Sequence, residues 1–114
     1  MPLDSKSLKT LRDKHKHVVA AGGEKKIKER HEKGLLSARE RLTHLFSPDT
    51  FQEFGAFIRH TCTTFGMADK DLPADGVICG TGYVNGRQVS AFSQDFTVVA
   101  GTLGKMHAKK MCQA

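Results

Sequence analysis

GVICGTGYVNGRQVSAFS, residues 76–93, is the stretch on which the fold turns. Two runs rich in β-branched and aromatic residues, GVICGTGYV and RQVSAFS, flank Asn85-Gly86, a dipeptide that tolerates the positive φ of a type I′ turn. The pattern predicts an antiparallel hairpin with residues 77–84 paired to 87–93. Gly80, Gly82 and Gly86 sit inside this hairpin rather than at a strand-to-helix turn, and their spacing is wrong for a dinucleotide-binding fingerprint. They read instead as small residues where strands bend or backbones pack closely.

Upstream of the hairpin, FQEFGAFIRH (51–60) suggests a further strand with an irregularity near Gly55, because Phe51, Phe54, Phe57 and Ile58 break a strict period of two. TCTTFGMADKDLPAD (61–75) reads as a loop that wraps over something. Before these come three helical patterns. Leu3, Leu8, Leu11, Val18 and Val19 recur at helical spacing between Asp4, an N-cap, and Gly22-Gly23, a stop, so residues 4–21 form one amphipathic helix. A short basic helix runs from Glu24 to Lys33 and ends at Gly34. Ser37 followed by Glu40 is a capping box that starts a third helix at Ala38, with Leu42, Leu45 and Phe46 on its apolar face and Ser47-Pro48-Asp49 as its stop. Downstream, LGKMHAKKMCQA restores helical spacing through Leu103, Met106, Lys110 and Met111, starting near Gly101-Thr102. The chain stops inside this pattern, as a segment of a longer polypeptide would. The fold class is therefore α/β in the α+β sense: helices, then a hairpin, then a helix that packs back on it.

The chain has 114 residues, 39% hydrophobic and 26% charged, ordinary globular usage that separates it from disordered and collagenous chains. No apolar run approaches about 18 residues, and MPLDSKSLKTLRDKHKH lacks a secretory signal's apolar stretch, so the chain reads as soluble and unexported. Cys62, Cys79 and Cys112 are odd in number and form no C-x-x-C, which argues against a disulfide scaffold or zinc ribbon and for a reducing compartment. The net charge of +6 is concentrated: residues 1–45 hold twelve Lys and Arg against six Asp and Glu, while residues 46–114 hold six of each. Such a segment is drawn to something anionic, and composition leaves nucleic acid, an acidic protein surface and a nucleotide-like ligand open.

Other constellations look like chemistry without supplying it. His15 and His17 are two apart, about 200° around a helix, so they cannot share a metal. Ser93, Asp95 and His107 supply hydrolase letters with no G-x-S-x-G elbow and nothing to place the three together. Cys62, in T-C-T-T, reads as a half-buried loop cysteine rather than an exposed thiol.

Two segments carry the reading beyond fold class. KGLLSARERLTHLFSPDTFQEF (33–54) resembles the KGxLxARERIxxLLDxGSFxE opening of the carboxyltransferase subunits of biotin-dependent acyl-CoA carboxylases, of the propionyl-CoA carboxylase beta-chain type. FSQDFTVVAGTLGKMHAKKM (92–111) is similar to their FSQDFTVxGGSLGxxHAxKI. Between them DGVICGTGYVNGRQV resembles the family's DGVVTGxGxINGRxV hairpin, and GGEKKIKERHEKG its basic approach helix, so the likeness runs in order over residues 22–114. Ala100 and Thr102 stand where the family often has Gly and Ser. The family includes the transcarboxylase core and the alpha subunits of sodium-pumping decarboxylases such as methylmalonyl-CoA decarboxylase, which these motifs do not separate.

The resemblance implies a crotonase-like (ClpP/crotonase) fold, here a basic helical extension over 1–45 followed over 46–114 by the opening ββα unit of the carboxyltransferase N-terminal domain. It implies an enzyme that moves a carboxyl group between carboxybiotin, on a separate carrier domain, and a short acyl-CoA of the propionyl- or methylmalonyl-CoA type. Negative charge on the thioester oxygen is met by backbone N–H donors, which the family carries beyond position 114. No catalytic residue, metal or covalently bound cofactor is therefore expected here, and the chain alone is expected to be inactive. Lys33, Arg39 and Arg41 are the residues expected to meet the CoA phosphates; Arg39 and Arg41 face different ways on one helix, so one of them pairs with an acid instead. Implied partners are biotin carboxylase and biotin carrier subunits and further copies of the chain, in the cytoplasm or, in a eukaryote, the mitochondrial matrix; a membrane enters only indirectly, through a decarboxylase complex. The rival reading is a basic helical module for nucleic acid or subunit assembly. Against nucleic acid, the first 45 residues carry no helix-turn-helix, zinc-finger or RNA-recognition signature, and no aromatic precedes Phe46 for stacking.

Overall fold

The computed structural model describes residues 2, 4–101 and 103–114. Leu3 of the first helical face and Thr102 at the predicted start of the last helix lie outside the described residues. Three helices come first. In α1 (Ser5–Val19) the Asp4 side chain accepts the Ser7 amide, as an N-cap should. A tight turn through Ala20–Gly23 leads to α2 (Glu24–Glu32), which ends on Lys33 with Gly34 at φ 71°. Neither helix buries a single residue. By contrast α3 (Ala38–Leu45) buries Ala38 and Leu42 and carries the complete capping box: Ser37 Oγ accepts the Glu40 amide, and the Glu40 carboxylate accepts the Ser37 amide at 2.6 Å.

The sheet has three antiparallel strands in the order β1 (Gln52–Phe54), β2 (Val77–Val84), β3 (Arg87–Gln94). The hairpin forms in the predicted register, Val84 opposite Arg87 and Val77 opposite Gln94, with Asn85 at φ 49° and Gly86 at φ 78°. The first strand is shorter than its sequence suggests. Gly55 at φ 66° turns the chain out of the sheet after Phe54, so the irregularity ends the strand rather than bulging it. Side chains alternate across β2 and β3. Ile78, with Val84, Val89 and Ala91, faces α3, where Ala38, Leu42 and Phe46 close the apolar core and Phe46 stacks on Phe51 with ring centroids 5.2 Å apart. Gly80 makes this possible: a Cβ there would lie 2.4 Å from Gln52 O and 2.5 Å from the Phe51 ring.

Val77 and Cys79 point to the opposite face, and α4 (Lys105–Gln113) lies there. Two expectations fail at this helix. It begins at Lys105, after the chain passes through left-handed Val99 and Ala100 and extended Gly104, rather than near residue 101. Its inward side is polar: His107 and Lys110 are fully buried, while Leu103, expected on the apolar face, is 60% exposed. Backbone carbonyls of the turn before β2 explain the inversion, because they supply the buried partners those two side chains require.

Candidate functional site

The segment Pro73–Gly76 enters β2 through a turn in which Ala74, Asp75 and Gly76 take φ of 53°, 49° and 73° in succession. All three are buried. Asp75 Oδ2 accepts the His107 amide at 2.7 Å, so a carboxylate from the turn caps α4, and its negative charge faces the positive end of that helix. Gly104 permits the approach; a Cβ there would stand 3.0 Å from Asp75 Oδ2. His107 Nδ1 donates to Asp75 O at 2.9 Å, which leaves Nε2 to accept from the Gln94 amide at 3.3 Å. The Lys110 ammonium donates to Ala74 O at 2.9 Å and to Val77 O at 2.6 Å. Gly76 O accepts the Asp95 amide at 2.8 Å. Burial depresses the Lys110 pKa and raises that of its neighbour, the buried Cys79 thiol.

This turn and the start of α4 form one wall of a cavity of about 490 Å³. Asp75, Gly76, Gly104 and Lys105 line that wall; Met67, Leu72 and Val98 give apolar surface, and the 61–75 loop closes the other side through Thr61 and Cys62. The expected wrapping loop thus covers a real space. Its cysteine, however, is not half-buried: Cys62 is exposed, and a hydrogen bond from Thr64 lowers its thiol pKa. The neighbouring apolar side chain, Phe65, is itself wholly exposed, so nothing draws this stretch inward. His60 Nε2 donates to Lys70 O at 2.8 Å, while its Nδ1 is buried without a hydrogen-bond partner among the described residues.

The N-terminal helices reach the same region from outside. The Gly22 amide donates to Thr97 Oγ1 at 3.0 Å, Lys26 donates to Thr97 O at 3.1 Å, and Arg30 lies over the Phe96 ring at 5.5 Å from its centroid. Thr97 in turn donates its hydroxyl and amide to Asp95 Oδ1. His17 and Arg59 both pair with Asp71 at the surface.

None of Lys33, Arg39 and Arg41 lines this cavity. Arg39 is committed to Glu53 of β1 by two hydrogen bonds, 2.7 and 3.3 Å. Arg41 is exposed on α3, and Lys33 is exposed at the end of α2, both without an ion pair among the described residues. One of the two arginines therefore pairs with an acid, and it is Arg39. Ser93, Asp95 and His107 are all buried but serve different partners, Asp95 holding Thr97 and His107 holding the Asp75 backbone. The group that sequence reasoning missed is Asp75, His107 and Lys110. Its only local signal is that His107 and Lys110 are three apart, on one side of a helix. Among the described residues no cluster of His, Cys, Asp or Glu has the geometry to hold a metal ion.

Comparison with known proteins follows the same contours. Residues 29–114 match the carboxyl transferase domain family. The methylmalonyl-CoA decarboxylase subunit alpha of Propionigenium modestum is 49% identical over 114 residues, all of this chain and 22% of that protein. The mitochondrial propionyl-CoA carboxylase beta chain of Homo sapiens is 44% identical over 105 residues, 90% of this chain and 20% of that one. Among solved structures, a hexameric transcarboxylase 12S with methylmalonyl-coenzyme A and methylmalonic acid bound superposes with a TM-score of 0.93 at 38% identity, over 99% of this chain and 22% of that one. The chain spans about a fifth of the length of the curated relatives it matches.

Proposed function

The chain belongs to the carboxyl transferase domain family, and from that premise we propose that it serves a biotin-dependent carboxyltransferase acting on a short acyl-CoA of the propionyl- or methylmalonyl-CoA type. The observation that carries the reading is the cavity of about 490 Å³ between the 61–75 loop and the start of α4. Its apolar wall of Met67, Leu72 and Val98 suits the uncharged pantetheine and acyl portion of such a thioester, and Lys105 at its edge suits an anionic end. Relatives named for methylmalonyl- and propionyl-CoA chemistry, and a structural neighbour holding methylmalonyl-coenzyme A, support the same ligand class.

Carboxyl transfer to or from the α-carbon of the thioester puts negative charge on its carbonyl oxygen, and preorganised backbone N–H groups stabilise that charge without reorganisation. In this proposal those donors lie in the remainder of a polypeptide several times longer. Residues 1–114 contribute binding surface, with no catalytic side chain. Arg41 and Lys33, without an ion pair among the described residues, are assigned to the CoA phosphates, whereas Arg39 would have to leave Glu53 to join them. Biotin on a carrier domain gives up or takes on the carboxyl group. Biotin carboxylase and carrier subunits are the proposed partners, and self-association into an oligomer is proposed by analogy with the hexameric neighbour. None of the described helices is long and apolar enough to cross a membrane. The three free cysteines suit a reducing compartment, the cytoplasm or a mitochondrial matrix.

The test assays the intact polypeptide that carries this chain, with its biotinylated carrier, on malonyl-, methylmalonyl- and propionyl-CoA, and assays residues 1–114 identically. Carboxyl transfer by the intact protein and none by the segment is the expected result. Inactivity of the intact protein on every acyl-CoA overturns the function; turnover by the segment overturns the placing of the catalytic donors.

A further inference from the structure

Ala74, Asp75 and Gly76 are three successive left-handed residues, two of them not glycine, an arrangement that L-residues resist. Locally the turn is closed by two backbone bonds, from the Asp75 amide to Leu72 O and from the Val77 amide to Ala74 O. Ala74 has no polar side chain, and the Asp75 carboxylate is committed to the amide of His107 at the other end of the unit. The long-range support comes from residues 95–110: every carbonyl from Ala74 to Val77 is held by a donor from Asp95, His107 or Lys110. Lys110 takes the outer two, so its ammonium bridges across the left-handed residues. It does so from complete burial, with no carboxylate hydrogen-bonded to it among the described residues. Burying an ammonium is costly, and a methionine of similar length would fill the same space without that cost. The donors are what the site gains from lysine. The Lys110 stem also passes beneath Gly55, where a Cβ would meet its Cε at 3.0 Å, so the strand end and the turn are both built around it.

We infer that Lys110 is a positioning residue: by holding Ala74 O and Val77 O it fixes the turn that gives the cavity its Asp75–Gly76 wall, and so governs acyl-CoA affinity more than the rate of carboxyl transfer. The affinity effect rests on the reading of the cavity as the acyl-CoA site; the holding of the turn does not. Three variants of the intact protein test it: Lys110→Met, which keeps the stem and loses the donors, Ala74→Gly, which relaxes the left-handed cost, and the two combined. Lys110→Met raises the KM for the acyl-CoA about tenfold or more while kcat stays within about twofold, and adding Ala74→Gly recovers most of the loss. In the ligand-free protein, hydrogen exchange at the Asp95 and His107 amides, which are bonded to Gly76 O and Asp75 Oδ2, speeds up by about tenfold in Lys110→Met, with exchange in α3 unchanged.

Equal losses in kcat and kcat/KM, or faster exchange spread through α3 as well, would reduce Lys110 to general packing and overturn the inference. Unchanged exchange at Asp95 and His107 would show that the turn stands without it. Absence of carboxyl transfer in the wild-type protein would remove the functional reading and the affinity effect together, while the exchange comparison would still decide whether Lys110 holds the turn. Should Lys110→Met fail to fold, Lys110→Leu, which also removes the donors, carries the same measurements.

Discussion

The two faces of the small sheet are held by different physics. Toward α3 the contact is apolar and shape-fitted: Ala38, Leu42 and Phe46 meet Ile78, and each large side chain buried there contributes about 1.5–3 kcal/mol whatever its detailed orientation. Toward α4 the contact is a set of directed bonds, with His107 and Lys110 reaching backbone carbonyls more than thirty residues away. The first kind of face tolerates small shifts. The second does not, because a buried donor or acceptor that loses its partner costs more than the bond was worth. The directed bonds are therefore concentrated where the cavity is, beside the buried Val77 and Cys79, whereas the α3 side rests on apolar packing.

The contrast breaks first where volume is removed. Leu42→Ala should cost about 2–5 kcal/mol in urea unfolding, through lost burial and the cavity left under α3. A loss below about 1 kcal/mol would mean that the α3 face is not a packed core. On the other side, His107→Leu keeps the volume and removes the partner of Asp75 O, and should cost about 1–3 kcal/mol. A larger loss than that of Leu42→Ala would reverse the ranking of the two faces. The smallest effect belongs to the cap of α3. Ser37→Ala should cost about 0.5–2 kcal/mol. The same cap gives a pH signature, since hydrogen bonds from His31 and from the Ser37 amide hold the Glu40 carboxyl down to about 2, from an ordinary 4.5. Its stabilisation is present in full above the unfolded value and is lost as pH falls from 4.5 to 2. Glu40→Gln should therefore flatten the acid limb of the stability curve in that window, and an unchanged limb would show that the cap carries no acid sensitivity.

The same contrast explains which parts could be read from the residues. The hairpin follows from Asn85-Gly86, and the start of α3 from Ser37 and Glu40, because both devices act within a few residues of themselves. The core under α3 follows from helical periodicity for Leu42 and Phe46, whereas Leu45, expected on the same face, is 46% exposed. The α4 face was illegible for the opposite reason. Periodicity assumes that apolar side chains point inward, whereas here the inward groups are a histidine and a lysine whose partners are main-chain oxygens of a distant turn. Main-chain acceptors have no letter in the sequence. The start of α4 was misplaced with it, since its cap is Asp75, thirty-two residues upstream of the amide it receives. Among the three basic residues expected near a phosphate, helical geometry gave the divergence of Arg39 and Arg41; that Arg39 is the paired one depended on where β1 would bring Glu53.

The turn between α1 and α2 is pressed against Thr97, so closely that a Cβ on Gly22 would stand 2.0 Å from its carbonyl oxygen, and the bond joining them spans 75 residues of chain. On a ribosome making about 5–20 residues per second, Gly22 emerges roughly 4–15 s before the residue it docks on. During that interval the turn between α1 and α2 lacks the partner it is pressed against. The turn between the first two helices is thus made early and waits for its partner while the hairpin that precedes Thr97 is still being synthesised.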